Sequence, residues 1–248
     1  MTLAKVALDD ELFIEYFRFK NGKSQNHQLM NKLFSHLKMP FVVDSSQATR
    51  CNPDLSPEIK AQFLAGGQPP KTIKELAEQS LYKMALTSDD AKLNYPFLNV
   101  NTPKIELNYS ITCQPNESRT QLIQHLTELC CDATKVVICD NYFFSEWTDT
   151  ILGTTGALFN TILPKKSLNV EFPHFGPGKR RKALLIKAIE EQWNVVAHAE
   201  AVYSDQLLHD RYLLIETAQN KIEVILSSGF SALWINAKEI SCVFREVT

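Results

Sequence analysis

The chain has 248 residues, of which 44% are hydrophobic and 22% charged, enough for one large domain or two small ones with real cores, which excludes disorder for most of it. The formal net charge is −2, with 13 basic and 11 acidic residues in 1–105 and 13 basic and 17 acidic in 106–248, so neither half is a bulk polyanion binder and any nucleic-acid contact has to come from a local patch. No apolar run approaches the ~20 residues of a membrane span, and acids stand near the N-terminus where a signal peptide would be basic and apolar. The expectation is a cytoplasmic protein with no transmembrane segment. The six cysteines, Cys51, Cys113, Cys130, Cys131, Cys139 and Cys242, form no CxxC pair, which argues against a zinc site or a disulfide framework.

In chain order, Lys5 to Leu8 is a short apolar stretch ending in Asp9 and Asp10, and a helix or strand then carries Leu12, Phe13, Tyr16 and Phe17. Ser24 is expected to open an amphipathic helix with Leu29, Met30, Leu33, Phe34 and Leu37 on one face, stopped by Pro40 before the β-like run Phe41 to Asp44. Residues 45–71 hold four prolines and a Gly-Gly pair, an irregular connection around one short helix near 57–64. The pattern predicts a helix from Thr72 to Ala85, with Thr72 able to cap Glu75 and Leu76, then an apolar stretch from Phe97 to Val100 and a boundary near Pro103.

Beyond that boundary, Ser118 and Gln121 fit a capping box for a helix over 118–131, and KVVICD at 135–140 reads as a buried strand. A helix over 145–162, a strand at 168–172, a helix over 178–192 and a strand at 193–199 follow. Arg211 to Glu216, Ile222 to Leu226 and Ile240 to Phe244 are closely spaced β runs, the first two joined by a hairpin turn at Ala218 to Lys221. The reading is α/β throughout: a small α/β segment over 1–105 and a mixed sheet flanked by helices over 106–248.

Three constellations carry chemistry. In Leu208 to Glu216, His209 and Arg211 lie two apart on a strand and share a face, so an imidazole nucleophile and an oxyanion-holding guanidinium can converge on one phosphate. The stretch resembles the H-x-K-x4-D motif of the phospholipase D superfamily, with Arg211 in the lysine position, Glu216 in the aspartate position, and Ser228 and Gly229 as the small-residue turn that follows. The β-α-β-α-β order from 118 to 199 suits the same fold. His-Asp-Arg with a later Gly-Phe resembles more closely the phospholipase D-like domain at the C-terminus of MIT-domain proteins, which implies binding without catalysis. Active members pair two H-x-K motifs around one phosphate; this chain has one candidate, and a homodimer would supply the second. The resemblance implies His209, Arg211 and Glu216 as catalytic residues.

The second constellation is Pro173 to Lys182, between a strand and a helix start. His174, Gly176, Gly178, Lys179, Arg180 and Arg181, with Ser228 and Gly229, are candidate phosphate-binding residues, because glycines let backbone amides turn toward a ligand and cations follow them. A solvated first helical turn is the competing reading. The third is acidic: Asp9, Glu75, Asp89 and Asp90 are candidate ligands for Mg or Mn, which need carboxylates converging at neighbouring strand ends to generate hydroxide for phosphodiester hydrolysis. Val6 to Asp10, Ala85 to Asp90 and Asn99 to Pro103 resemble the opening, late and closing strands of PIN-like nucleases. Solvated helix caps are the competing reading there. Neither a Walker loop nor GxGxxG is present, so no nucleotide cofactor is expected.

These observations point to a phosphodiester-processing protein, a nuclease-like effector of the kind that suits bacterial phage defence, acting on or binding nucleic acid. The alternative is a non-catalytic phospholipase D-like adaptor that binds a protein partner or a phosphorylated surface. A third route puts a phosphohistidine intermediate at His209 in a homodimer.

Overall fold

The computed structural model describes residues 4–36, 41–52, 55–58, 61, 69–92, 94–101, 108–140, 149–173, 186–187, 189–197 and 211–247. The chain divides into two compact units, Met1–Glu106 and Leu107–Thr248, each with its own sheet.

In the N-terminal unit, β1 (Ala7–Leu8), β2 (Ala85–Thr87) and β3 (Phe97–Asn99) are parallel and neighbour one another in that order. The Phe41 to Asp44 run contributes a single parallel bridge, Val42 to Ala7. Helix α1 (Asp10–Lys20) starts on Asp9, whose side chain accepts the Leu12 amide, and acids in its first turn and bases in its last complement the helix dipole. Helix α2 (His27–His36) begins three residues later than expected, because Asn26 caps it by accepting the Leu29 amide while Ser24 donates its hydroxyl to Glu15 instead. Helix α3 (Ser45–Cys51) is capped by Asp44. The helix expected near 57–64 lies largely outside the described residues.

Helix α4 (Ile73–Glu78) has the capping box that Thr72 and Glu75 announce, but it ends well before Ala85. The chain turns through Lys83 at φ 50°, Leu81 and Tyr82 donate their amides to Ala4 and Lys5, and Ala85 already belongs to β2. Pairing with β1 wins over helix propagation because β2 is buried at every position. Leu76 and Ala77 of α4 pack on Ala7 and Ala85, with Val42, Ile73 and Phe97 around them.

The C-terminal unit holds a seven-stranded mixed sheet in the order β4-β10-β9-β8-β5-β6-β7. Its strands are β4 (Asn108–Cys113), β5 (Lys135–Cys139), β6 (Asn169–Phe172), β7 (Asn194–Ala197), β8 (Tyr212–Glu216), β9 (Lys221–Leu226) and β10 (Ile240–Glu246). β5, β6 and β7 are parallel; β8 runs against β5, and β8, β9, β10 and β4 are antiparallel in turn. The expected β8–β9 hairpin is present, with Glu216 opposite Lys221. β4, absent from the sequence reading, pairs along β10.

Alternation sets the core face. Tyr109, Phe244, Val224, Leu213 and Ile138 form one buried row across five strands. Helix α5 (Thr120–Cys130) lays Leu122, His125, Leu126, Leu129 and Cys130 in the interior. Its capping box is not formed: Ser118 hydrogen-bonds Thr120, and Arg119 takes the cap position without a side-chain bond. Helix α6 (Asp149–Ile162) connects β5 to β6 and buries Leu158, Phe159 and Ile162. Most of the helix expected over 178–192 lies outside the described residues. No described helix is long and apolar enough to cross a membrane.

Candidate functional site

The strand directions in the C-terminal unit bring three chain segments together at the carboxyl end of β5, in the middle of the sheet. β5 ends at Cys139, opposite Tyr212 at the start of β8, so Asp140 and Arg211 are neighbours just outside the ladder. The Arg211 carbonyl accepts the Leu226 amide, which draws the turn after β9 to the same place. There the Asp140 carboxylate is 2% exposed; its Oδ1 lies 3.5 Å from Arg211 Nε, and its Oδ2 accepts the Phe230 amide at 3.2 Å. At 3.5 Å the Arg211 Nε contact is an ion pair rather than a well-formed hydrogen bond. The Arg211 side chain keeps 30% of its surface, so a cation anchored from inside reaches solvent. Gly229 completes the corner: a Cβ there would stand 3.3 Å from Asp140 Oδ2 and 3.9 Å from Arg211 Nε.

The other phosphate-site expectations divide. His209 lies outside the described residues, as do His174, Gly176, Gly178, Lys179, Arg180 and Arg181. Ser228 is at the corner, with its hydroxyl donated to the Glu239 carbonyl. Glu216 is a correction. It sits at the opposite end of β8 from Arg211, about 17 Å along the strand, and pairs with Lys221 Nζ at 2.9 Å across the hairpin. Its charge fastens β8 to β9, too far away to share a phosphate with Arg211.

In the N-terminal unit the four acids do not come together. Asp9 is 2% exposed at the carboxyl end of β1; its Oδ1 accepts the Leu12 amide, and its Oδ2 accepts the Thr87 hydroxyl at 2.6 Å and Lys92 Nζ at 2.9 Å. Asp89 is close by, with its Oδ2 4.0 Å from the same ammonium and its amide on the Thr87 hydroxyl. Asp90 instead accepts the Asn99 side-chain amide. Glu75 is exposed and returns to its own helix start, where the Thr72 amide and hydroxyl hold its carboxyl below the ordinary range. Among the described residues, no group of three His, Cys, Asp or Glu is arranged to hold a metal ion. Mg2+ and Mn2+ want oxygen ligands, at about 2.1 Å for Mg2+, and Lys92 presents a like charge to the oxygen such an ion would use. The four acids do not fit a divalent cation, and no step is routed through one.

No protein-family model matches the chain, and no curated protein matches it. Among solved structures it is similar to the polyphosphate kinase from Porphyromonas gingivalis, at 13% identity and TM-score 0.33 over 58% of this chain and 25% of that one. It is also similar to the yeast tyrosyl-DNA phosphodiesterase, at 8% identity and TM-score 0.28 over 54% of this chain and 31% of that one. The chain thus spans less than a third of the length of either.

Two site residues escaped the sequence reading. Asp140 was visible only as the last letter of an apolar strand, and an acid directly after such a strand, at the carboxyl end of a sheet, is the signal that marks it. Lys92 had no signal, because its role depends on a pairing with Asp9 across 83 positions.

Proposed function

We propose that the C-terminal unit is a phospholipase D-like phosphate-binding domain, and that the chain is a phosphodiester-processing protein acting on nucleic acid through it. The observation that carries this reading is the Arg211 guanidinium, held at the carboxyl end of β5 by the buried Asp140 carboxylate and left part-exposed beside a glycine turn. Guanidinium groups suit phosphate oxygens because their planar fork donates two parallel hydrogen bonds. The mixed sheet supports the reading through its topology: three parallel strands finish at the same end of the sheet as β8 begins, with His209 two residues before Arg211 in sequence. His209 would supply the nucleophile and Arg211 the oxyanion grip.

The test is binding and cleavage of a labelled single-stranded oligonucleotide by the full chain, by Arg211→Ala and by His209→Ala. Arg211→Ala is expected to weaken binding about tenfold and to lower the salt slope by about one. His209→Ala is expected to abolish turnover while leaving binding within a few-fold. Unchanged affinity in Arg211→Ala rejects the reading, and binding without turnover in the unaltered chain assigns the adaptor role.

A further inference from the structure

We propose that the Lys92 ammonium is the resident cation of the carboxylate pocket at the carboxyl ends of β1 and β2, and that this pocket therefore takes up no divalent metal. The inference is independent of the phosphate site in the C-terminal unit.

The placement is specific. In an open parallel sheet the carboxyl ends of the strands are where ligands gather. Here Asp9 follows β1 and Thr87 ends β2, their side chains joined by a 2.6 Å hydrogen bond. Lys92 reaches this point from the turn after β2, a turn shaped by Asp89, which accepts the Ala91 amide on its side chain and the Lys92 amide on its carbonyl. The ammonium stands 2.9 Å from Asp9 Oδ2 and 4.0 Å from Asp89 Oδ2, and 5.4 Å from the centroid of the Phe97 ring on β3. Glu11 in the first turn of α1 adds a further negative field.

The charge arithmetic favours the lysine over a metal. Asp9 is almost completely enclosed, so its negative charge needs a compensating positive charge within direct reach, and an unpaired one would be costly. Lys92 supplies it on a flexible four-carbon stem, from a position five residues past the end of β2. Oδ1 accepts the α1 amide and Oδ2 accepts a hydroxyl and an ammonium, so a divalent ion at Oδ2 would have to displace a like charge already in contact. Neither Glu75 nor Asp90 is turned to help, since each is engaged with Thr72 or Asn99.

The experiment uses the full chain stripped with EDTA. Mn2+ uptake is followed by loss of the free-ion electron paramagnetic resonance signal, and thermal unfolding is followed with and without Mn2+. The quantity that decides is uptake in the unaltered chain minus uptake in Asp9→Asn, which removes contributions from elsewhere in the chain. That difference is expected to be zero, and a stoichiometric difference overturns the proposal. Lys92→Met is expected to lower the unfolding temperature by about 5 °C or more, and Lys92→Arg to recover most of the loss. An unchanged unfolding temperature in Lys92→Met overturns the resident-cation role. If Lys92→Met fails to fold, the uptake difference still decides.

Discussion

Asp140 carries two tasks with one buried carboxylate, and they can be separated experimentally. Its Oδ2 anchors the Phe230 amide, which is structural, and its Oδ1 orients Arg211, which serves the proposed phosphate contact. Asp140→Asn, Arg211→Ala and the double variant should therefore show a coupling of about 1 kcal/mol in oligonucleotide affinity, read as non-additivity of the two single losses. Additive losses would leave Asp140 as a turn anchor alone. Gly229 sits in the same corner at φ −60°, a conformation open to any residue, so its requirement is spatial. Gly229→Ala forces a methyl against Asp140 Oδ2 and is expected to cost about 1 kcal/mol in urea unfolding. His125 tests a different kind of buried group. Burial pushes its pKa down to about 3, and it is enclosed by Tyr109 from β4, to which it hydrogen-bonds, and by Phe244 from β10. The unfolded chain binds a proton on this imidazole below about pH 6.5 while the folded chain resists until about pH 3, so the folded state loses stability as pH falls through that window. Replacing His125 by Gln should flatten the fall of unfolding free energy between those values, measured by urea denaturation, by an amount on the order of a few kcal/mol at the acid end.

The connection between α1 and α2 rests on one acid. Glu15 is buried on α1, and its Oε1 accepts the Ser24 hydroxyl at 2.6 Å and the Gln25 and Asn26 amides at 2.9 and 3.0 Å. Burial alone would raise its pKa, but these hydrogen bonds and Arg18 outweigh burial and leave it below the ordinary value of 4.5. A depressed carboxyl stabilises the fold above its unfolded pKa and ceases to do so as pH falls through the folded one, so Glu15 contributes to acid lability below about pH 4.5. Glu15→Ala should lower stability by about 2 kcal/mol at neutral pH, measured by urea denaturation, because two amides and a hydroxyl lose their acceptor. This staple also explains why element starts were only partly legible. Thr72 and Glu75 found each other because a capping box is closed within four residues. Ser24 looked like an equally good cap, yet Glu15, nine positions earlier, claims its hydroxyl and moves the helix start to His27. The end of α4 was misplaced for the same reason: apolar spacing at helical period runs on past Glu78, while the partners that pull the chain into β2 lie on β1, almost 80 positions away.

At the scale of the whole chain, strands with a strong apolar pattern announced themselves, and those without one did not. β6, β8, β9 and β10 each place Val, Ile, Leu or Phe at period two and β5 is a continuous apolar run, whereas β4, NYSITC, mixes hydroxyls with its apolar positions and is a strand because it lies along β10. Of the Asp140–Arg211–Gly229 corner, the spacing in the sequence singled out Arg211 and Gly229. Its anchor Asp140 was not singled out, since it is 71 positions from Arg211 and meets it only through the β5–β8 pairing. Each unit has its own buried centre: Leu8, Leu12, Phe13, Met30 and Leu86 in the first, Leu126, Val136, Val170, Val224 and Phe244 in the second. A fragment spanning 107–248 keeps the seven-stranded sheet and every residue of the Asp140–Arg211–Gly229 corner. Expressed alone, it is expected to unfold in one cooperative transition and to retain oligonucleotide binding that Arg211→Ala weakens about tenfold. Fragment 1–106 should bind the same oligonucleotide no better than a charge-matched control, because its best-placed acids are closed on Lys92. Arg211-dependent binding that disappears in the 107–248 fragment, while its cooperative unfolding is intact, would move the phosphate contact away from the C-terminal unit acting alone.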